Sequence, residues 1–199
     1  MALVLNNARE SVSVVGVDPK TGKELWRSEP WAEKWGAACV DPLVVGESVF
    51  LTTAEQLPQS ARFTMKGGKL TQDWATKQFA CYTGSCVHLD GHVYGVSKAG
   101  LLTCLDWKSG KERWSERGFD GHGAVTAADG HLFVQASHSG RLVVVKADPK
   151  ECDEVRRVQV FAKKDAVSFT APVRADGQLY CRSYAGEVVC LAVGTPPKR

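Results

Sequence analysis

The stretch GVDPKTGKELW at residues 16–26 returns as CLDWKSGKERW at residues 104–114, with the two tryptophans in register. Each copy contains a strand that ends in Asp, a tight turn built on Thr/Ser-Gly-Lys, and a strand that opens on Glu-x-Trp. This order of residues is typical of a β-hairpin. The chain is therefore predicted to repeat a hairpin unit, and no catalytic motif repeats with it.

Three Asp-Gly turns lead into near-copies of a second hairpin, and each hairpin turns again at a small residue followed by Gly. The glycines of these turns are spaced by 39 and 47 residues: Gly91, Gly130 and Gly177. A period of about 40–45 residues with four short strands is typical of a propeller blade, whereas helical repeats would need apolar residues at helical spacing. We therefore predict an all-β fold without helices, a β-propeller of four-stranded antiparallel blades.

The repeats also predict how the chain divides. The units are a partial blade at 1–34, blades at about 35–79, 80–119 and 120–161, and a last incomplete blade at 162–199. This is an incomplete ring of about four to five blades, in a fold that needs four to eight to close. Exposed sheet edges invite pairing with other strands. We expect the chain to be the C-terminal part of a larger propeller whose missing blades complete it, or to close through a homodimer or a protein partner.

Composition excludes some classes of partner. The chain has 199 residues, 44% of them hydrophobic, and a net charge of +3. No basic stripe indicates nucleic-acid binding. No segment reaches the about 20 apolar residues of a membrane span, and the first residues lack the positive region and apolar core of a signal peptide.

The hairpin phrases, together with APVRADGQLYCRSYAGEVVCLAV at residues 171–193, resemble the pyrroloquinoline-quinone-type (PQQ-like) β-propeller repeat. That repeat family occurs in quinoprotein alcohol dehydrogenases and in the outer-membrane assembly factor BamB. The resemblance implies a structural docking motif, in which the strand-ending Asp, the turn Gly and the Trp tie neighbouring blades together. The matching residues are Asp18, Gly22 and Trp26 in one copy and Asp106, Gly110 and Trp114 in the other. Two further copies, at residues 66–74 and 147–152, are eroded.

The resemblance also sets expectations about function. Quinoprotein enzymes of this family hold PQQ against a Trp and a disulfide between adjacent cysteines, with calcium bound by Glu, Asn and Asp. This chain has no Cys-Cys pair, and its only asparagines are Asn6 and Asn7. We expect no cofactor and no catalytic residue, and a non-catalytic scaffold or ligand- or protein-recognition module in the periplasm or outside the cell. The alternatives are a fragment of a PQQ-dependent alcohol dehydrogenase-like enzyme, with PQQ and calcium, and a sensor domain of a multidomain protein.

Two cysteines near the end of the chain have a predicted geometric relationship. If Ala185-Gly186 is a two-residue turn, Cys181 lies directly opposite Cys190 in a non-hydrogen-bonded pair. Cross-strand pairs of this kind bring Cβ atoms close to the separation that a disulfide requires. A disulfide is one interpretation, and two small thiols packed inside a blade are the other.

Other reactive side chains give weaker signals. The spacing of Cys81, Cys86, His88 and His92 matches no usual zinc pattern, so no metal site is predicted. His122 and His138 are expected in loops. Trp31, Trp35 and Trp107 do not follow the repeat, and an exposed tryptophan among them would favour a binding rim.

Overall fold

Antiparallel hairpins account for the whole described structure. A computed structural model describes residues 2–8, 11–33, 39–54, 59–163 and 166–193. Strands, turns and irregular segments make up these ranges, and no helix within them is long and apolar enough to cross a membrane. The prediction of an all-β fold of four-stranded antiparallel blades is confirmed.

Five sheets follow one another along the chain. The first contains β1 (Ala2–Ala8), β2 (Ser11–Val17), β3 (Glu24–Arg27) and β4 (Ala32–Glu33), and the second contains β5 (Leu43–Val45), β6 (Ser48–Thr53), β7 (Gln59–Lys66) and β8 (Lys69–Thr76). The third contains β9 (Val87–Leu89), β10 (His92–Val96), β11 (Leu101–Asp106) and β12 (Glu112–Arg117). The fourth contains β13 (Ala124–Ala128), β14 (His131–Gln135), β15 (Arg141–Lys146) and β16 (Glu154–Gln159), and the fifth contains β17 (Val173–Ala175), β18 (Gln178–Arg182) and β19 (Val188–Ala192).

Strands are ordered by sequence within the sheets. In the second to fifth sheets each strand pairs with the next one along the chain. The first sheet has the order β1-β2-β3. The short β4 also pairs with β2, at Ser11 and Val12. The sequence did not predict β4.

The Asp-Gly turns adopt the backbone that their residues favour. Asp90, Asp129 and Asp176 have φ values of +46°, +49° and +49°, and the glycine after each is also at positive φ. Two successive residues at positive φ match the right-handed twist of a hairpin, and Asp tolerates this region better than most residues.

The chain divides into two compact units, Met1–Tyr82 with Lys108–Gly110, and Thr83–Trp107 with Lys111–Arg199. In the first unit, Val14 of the first sheet packs against Val49, Leu51 and Phe63 of the second. In the second unit, the third sheet packs against the fourth and the fourth against the fifth. Each core is therefore built between the faces of consecutive sheets, because these strands carry apolar residues on both faces.

Candidate functional site

The strand-ending aspartates build their own turns. Asp18 Oδ1 accepts a hydrogen bond from the backbone N–H of Lys20 at 2.8 Å, and the Asp18 carbonyl accepts one from Gly22. The Lys20 N–H lowers the pKa of the Asp18 carboxyl because it stabilises the charged form. The Asp106 carboxylate binds Arg113 Nη2 at 2.6 Å.

The tryptophans of the hairpin phrase contact the corresponding turn of another repeat. Trp114 is 9% exposed, and its Nε1 donates a hydrogen bond to the carbonyl of Asp148 in the next turn of this kind. In the first unit, Trp26 lies against Gly68, where an added Cβ would be 3.2 Å from Trp26 Cγ. The glycine of the turn therefore leaves room for the indole ring.

The eroded copy at residues 66–74 also retains this arrangement. Within the first unit, which includes Lys108–Gly110, the ring of Trp74 lies over Gly110 so closely that a Cβ there would overlap it. Gly110 has a φ of +69°. The glycine is thus required both by its backbone conformation and by the approach of the ring.

An aromatic groove of about 580 Å³ opens in the first unit. Its apolar lining comes from Trp26, Trp31, Phe63 and Leu70, and its polar lining includes Arg27, Glu29, Lys69 and Gln72. This volume lies within the range of about 300–1,000 Å³ of small-ligand pockets. Among the described residues of the lining there is no histidine or cysteine, and Glu29 is the one carboxylic acid. The groove therefore offers aromatic contact and hydrogen bonding rather than a pair of acid and base groups.

Backbone pairing along β2 positions Trp31 in the groove. Ser28 forms two hydrogen bonds with Val14. The Ser28 N–H donates to the Val14 carbonyl, and the Ser28 Oγ accepts from the Val14 N–H. The Trp31 N–H then donates to the Val12 carbonyl at 2.7 Å. The Trp31 ring meets Phe63 edge to face with centroids 6.2 Å apart. Trp31 does not follow the sequence repeat, and its place in the groove depends on the turn at Gly67-Gly68, which also lines the groove.

The predicted pairing of Cys181 with Cys190 is wrong. Ser183 and Glu187 close the hairpin, so the loop has three residues rather than two. Cys181 consequently pairs with Val189, and Cys190 pairs with Tyr180. Since neighbouring residues point to opposite faces of a sheet, Cys181 is buried while Cys190 is exposed, and neither forms a disulfide.

Residues considered for a metal site have other roles. Cys81 and Cys86 are buried, and the His88 ring packs against Trp107 with centroids 4.7 Å apart. Burial lowers the pKa of His88 because it disfavours the imidazolium. His92 Nδ1 is 2.9 Å from the Asp90 carbonyl within its turn. Among the described residues, no three His, Cys, Asp or Glu side chains form a group that could hold a metal ion.

Two loop histidines come together in the second unit, which the sequence did not predict. The His122 and His138 rings have centroids 5.7 Å apart, and both meet Phe169 edge to face. The Ser137 hydroxyl donates to the Gly121 carbonyl, and it lies 2.7 Å from His138 Nδ1. Trp107, in contrast, is only 8% exposed and provides no binding rim.

Comparison with protein families and curated proteins gave two results. A family model described as "Outer membrane protein assembly factor BamB" matches residues 10–198. A search of curated proteins found no match.

Solved structures with a similar fold include one natural protein and two designed ones. BamB from Moraxella catarrhalis is 18% identical, with a TM-score of 0.67, over 96% of this chain and 58% of that one. The computationally designed Ika8 protein is 15% identical, with a TM-score of 0.68, over 96% of this chain and 55% of that one. The designed Ika4 protein is 15% identical, with a TM-score of 0.64, over 87% of this chain and all of that one. The chain thus spans less than two thirds of the length of BamB and Ika8, and these likenesses show the fold.

Proposed function

Because this chain belongs to the BamB family of PQQ-like β-propeller repeat proteins, we propose that it is a non-catalytic scaffold that recognises an extended peptide. One observation carries the proposal, namely the aromatic groove in the first unit. Trp31 and Phe63 form its apolar wall, and Arg27 and Lys69 supply hydrogen-bond donors beside it. Aromatic side chains with adjacent donors are the usual anchors for peptides.

The proposal extends to cofactors and cellular location. We expect no bound cofactor, since the described lining of the groove presents a single carboxylate, Glu29, and no histidine or cysteine. A periplasmic or extracellular location follows from family membership and is part of the same proposal. Partners are expected to be proteins: one supplies the peptide for the groove, and another sheet, from further propeller blades or from a homodimer, covers the open end of the array.

Peptide selection tests the recognition role. A linear peptide library is selected on the wild-type chain, and the affinities of the selected peptides are measured by fluorescence anisotropy. Trp31→Ala should weaken binding at least about 10-fold, as expected when an aromatic anchor is removed. Lys69→Glu should also weaken it without removing apolar packing, because Lys69 is exposed. Tyr184→Ala serves as the matched control, since Tyr184 is 79% exposed and lies in the other unit.

Two results would contradict the proposal. Selected peptides that bind Trp31→Ala and Lys69→Glu as tightly as the wild type would place recognition elsewhere. Calcium-dependent dye reduction with PQQ and an alcohol would favour the dehydrogenase alternative instead.

A further inference from the structure

Three loop segments of the second unit meet at a pair of histidines. His122 lies in the loop before β13, His138 in the turn between β14 and β15, and Phe169 in the loop before β17. The two imidazole rings have centroids 5.7 Å apart, and the centroid of the Phe169 ring is 6.2 Å from one and 6.3 Å from the other. The three rings therefore form a nearly equilateral triangle, which we call the histidine triangle.

Two buried oxygens adjacent to the histidines in sequence have no hydrogen-bond partner among the described residues. Asp120, two residues before His122, has a buried Oδ2 of this kind, and Ser139, directly after His138, has a buried Oγ. Buried polar atoms without a partner are rare in proteins, and an ordered water or an ion commonly accounts for them. Both oxygens can accept a hydrogen bond from a water molecule bound to a metal ion.

The loop that carries His122 has an unusual backbone. Asp120 and His122 have φ values of +52° and +69°, a region that few residues other than glycine adopt. The carbonyl of Gly121, between them, accepts a hydrogen bond from the hydroxyl of Ser137. Backbone in such sparsely populated regions is concentrated at ligand sites and persists where surrounding contacts hold it. The Ser137 contact thus holds the two histidine-bearing segments against each other.

We propose that the histidine triangle binds one divalent transition-metal ion, Zn²⁺ or Cu²⁺, through one nitrogen of His122 and one of His138. Imidazole is a preferred ligand of both ions. Nδ1 of His138 is 2.7 Å from the Ser137 hydroxyl, so Nε2 is the nitrogen left to bind the ion. A ligating histidine usually holds its other ring nitrogen against a polar partner, which orients the ring.

The spacing of the rings fits a shared ion. An ion about 2.0–2.1 Å from one nitrogen of each ring lies about 3.2 Å from each centroid, and a tetrahedral angle then separates the centroids by about 5.2 Å. The observed separation is 5.7 Å, so rotation of the rings and an approach of about 0.5 Å complete the pair of ligands. Water supplies the remaining ligands, since the described residues form no group of three His, Cys, Asp or Glu side chains.

The ion links loops and takes part in no reaction. The Ser168 N–H donates to the Ser137 carbonyl at 2.8 Å, and the Ser168 hydroxyl donates to the Arg182 carbonyl of β18 at 2.8 Å. Metal binding beside Ser137 therefore helps to hold the loop that leads into the fifth sheet against the fourth sheet. This role is separate from peptide recognition, because the aromatic groove lies in the first unit.

Calorimetry with Zn²⁺ alone tests the proposal on the full chain. The chain is first freed of metal with a chelator, and the exposed Cys39 and Cys190 are alkylated so that their thiolates bind no ion. We expect one ion per chain. Binding should be at least about 10-fold weaker in His122→Asn and in His138→Gln, since each loses one of the two protein ligands. Asparagine is chosen at position 122 because it tolerates positive φ. His131→Gln, in an Asp-Gly turn, is the matched control and should bind Zn²⁺ like the wild type.

Two further measurements locate the ion. Phe169→His should tighten Zn²⁺ binding at least about 10-fold, because it adds a third imidazole. Phe169 is 42% exposed, so this change should leave the fold intact, and circular dichroism without metal checks every variant. In the wild type, Zn²⁺ should protect His122 and His138 from diethylpyrocarbonate but leave His92 and His131 reactive, as read by peptide mass spectrometry.

Three results would overturn the proposal. Folded His122→Asn and His138→Gln variants that bind Zn²⁺ as tightly as the wild type would show binding at an adventitious site only. Unchanged reaction of both triangle histidines with diethylpyrocarbonate in the presence of Zn²⁺ would exclude them as ligands. A folded Phe169→His variant that binds Zn²⁺ no more tightly than the wild type would place the ion elsewhere. None of these measurements involves peptide binding at Trp31, so failure here is distinct from failure of the groove.

Discussion

The indole Nε1 of Trp114 donates a hydrogen bond of 2.8 Å to the backbone carbonyl of Asp148. Trp114 lies on β12 of the third sheet, and Asp148 lies in the turn between β15 and β16 of the fourth. The bond therefore ties two consecutive sheets of the second unit through one side chain. The same ring meets Tyr94 with centroids 6.0 Å apart, so the indole also contributes to the core between the sheets.

Trp114→Phe should lower the free energy of unfolding by about 1–2 kcal/mol, because the part-buried Asp148 carbonyl loses its donor. Trp114→Ala should cost about 3–5 kcal/mol, since it also removes the ring from the core. Urea denaturation followed by circular dichroism measures both. Tyr184→Phe is the control and should change little. Equal stability of Trp114→Phe and the wild type would show that the hydrogen bond contributes nothing.

Gly110 and Gly22 form a matched pair at one position of the hairpin turn. Their φ values are +69° and +72°, so alanine is strained by a similar amount in both, about 1–2 kcal/mol. A Cβ at Gly22 meets nothing within 4 Å, whereas one at Gly110 overlaps Trp74. We expect Gly110→Ala to be more destabilising than Gly22→Ala by about 1–3 kcal/mol, as for other overpacked sites. Thermal and urea unfolding measure the loss of stability in each variant. Equal losses for Gly110→Ala and Gly22→Ala would contradict the predicted overlap with Trp74.

The cysteines of the last hairpin should react at very different rates. Cys190 is exposed, and its thiol donates to Gln178 Oε1 at 2.7 Å. Cys181 is buried, which raises its pKa to about 11 because the thiolate is disfavoured. Iodoacetamide at pH 8, without reductant, should label Cys190 quickly and Cys181 only after unfolding. Peptide mapping that found a Cys181–Cys190 disulfide, or equal labelling of both, would contradict the register.

Glu154 should make a small pH-dependent contribution to stability. Its hydrogen bonds from Arg157, of 3.0 and 2.7 Å, lower the pKa of its carboxyl. Arg157 is held in place by the Gly118 carbonyl at 2.7 Å and by the Phe119 ring. The ion pair is partly exposed, so Glu154→Gln should cost less than about 1 kcal/mol at neutral pH.

The sign of this effect follows from the lowered pKa. The contribution of Glu154 is fully present above the pKa of the unfolded chain, about 4.3, and is lost as pH falls through the folded pKa. The difference between wild type and Glu154→Gln should therefore stay constant from pH 7 to about pH 5 and shrink as urea unfolding is measured down to about pH 3. Glu47→Gln, in an exposed turn, is the control. A difference that stayed constant with pH would exclude the ion pair as its cause.

Local chemistry made much of the fold predictable. An Asp-Gly pair between two strand-like segments favours the positive φ values of a tight hairpin turn, so the turns at Asp90, Asp129 and Asp176 could be recognised without any tertiary contact. The hairpins that these turns connect were predicted for the same reason. The recurring Trp indicated the repeat and its family.

The candidate site was far less predictable. The loop at residues 184–186 was predicted one residue too short, and this single slip moved Cys190 to the wrong face. Trp31 was identified only as a tryptophan outside the repeat. Its role in the groove could not be predicted, because the groove forms only where Trp31 and a turn of the second sheet come together. Nothing in the local sequence distinguishes Trp107, buried against His88, from an exposed turn residue.

The sequence by itself therefore determined the repeat and the conformations of its Asp-Gly turns, because these depend on residues near one another in the chain. Tertiary structure alone decided which side chains are covered. Tyr94, Phe133 and Tyr180 occupy one position of the repeat, yet the first two are buried and the third is 39% exposed. Burial at that position depends on whether another sheet packs there, which is a contact between distant parts of a polypeptide and is not encoded in the strand that bears the residue.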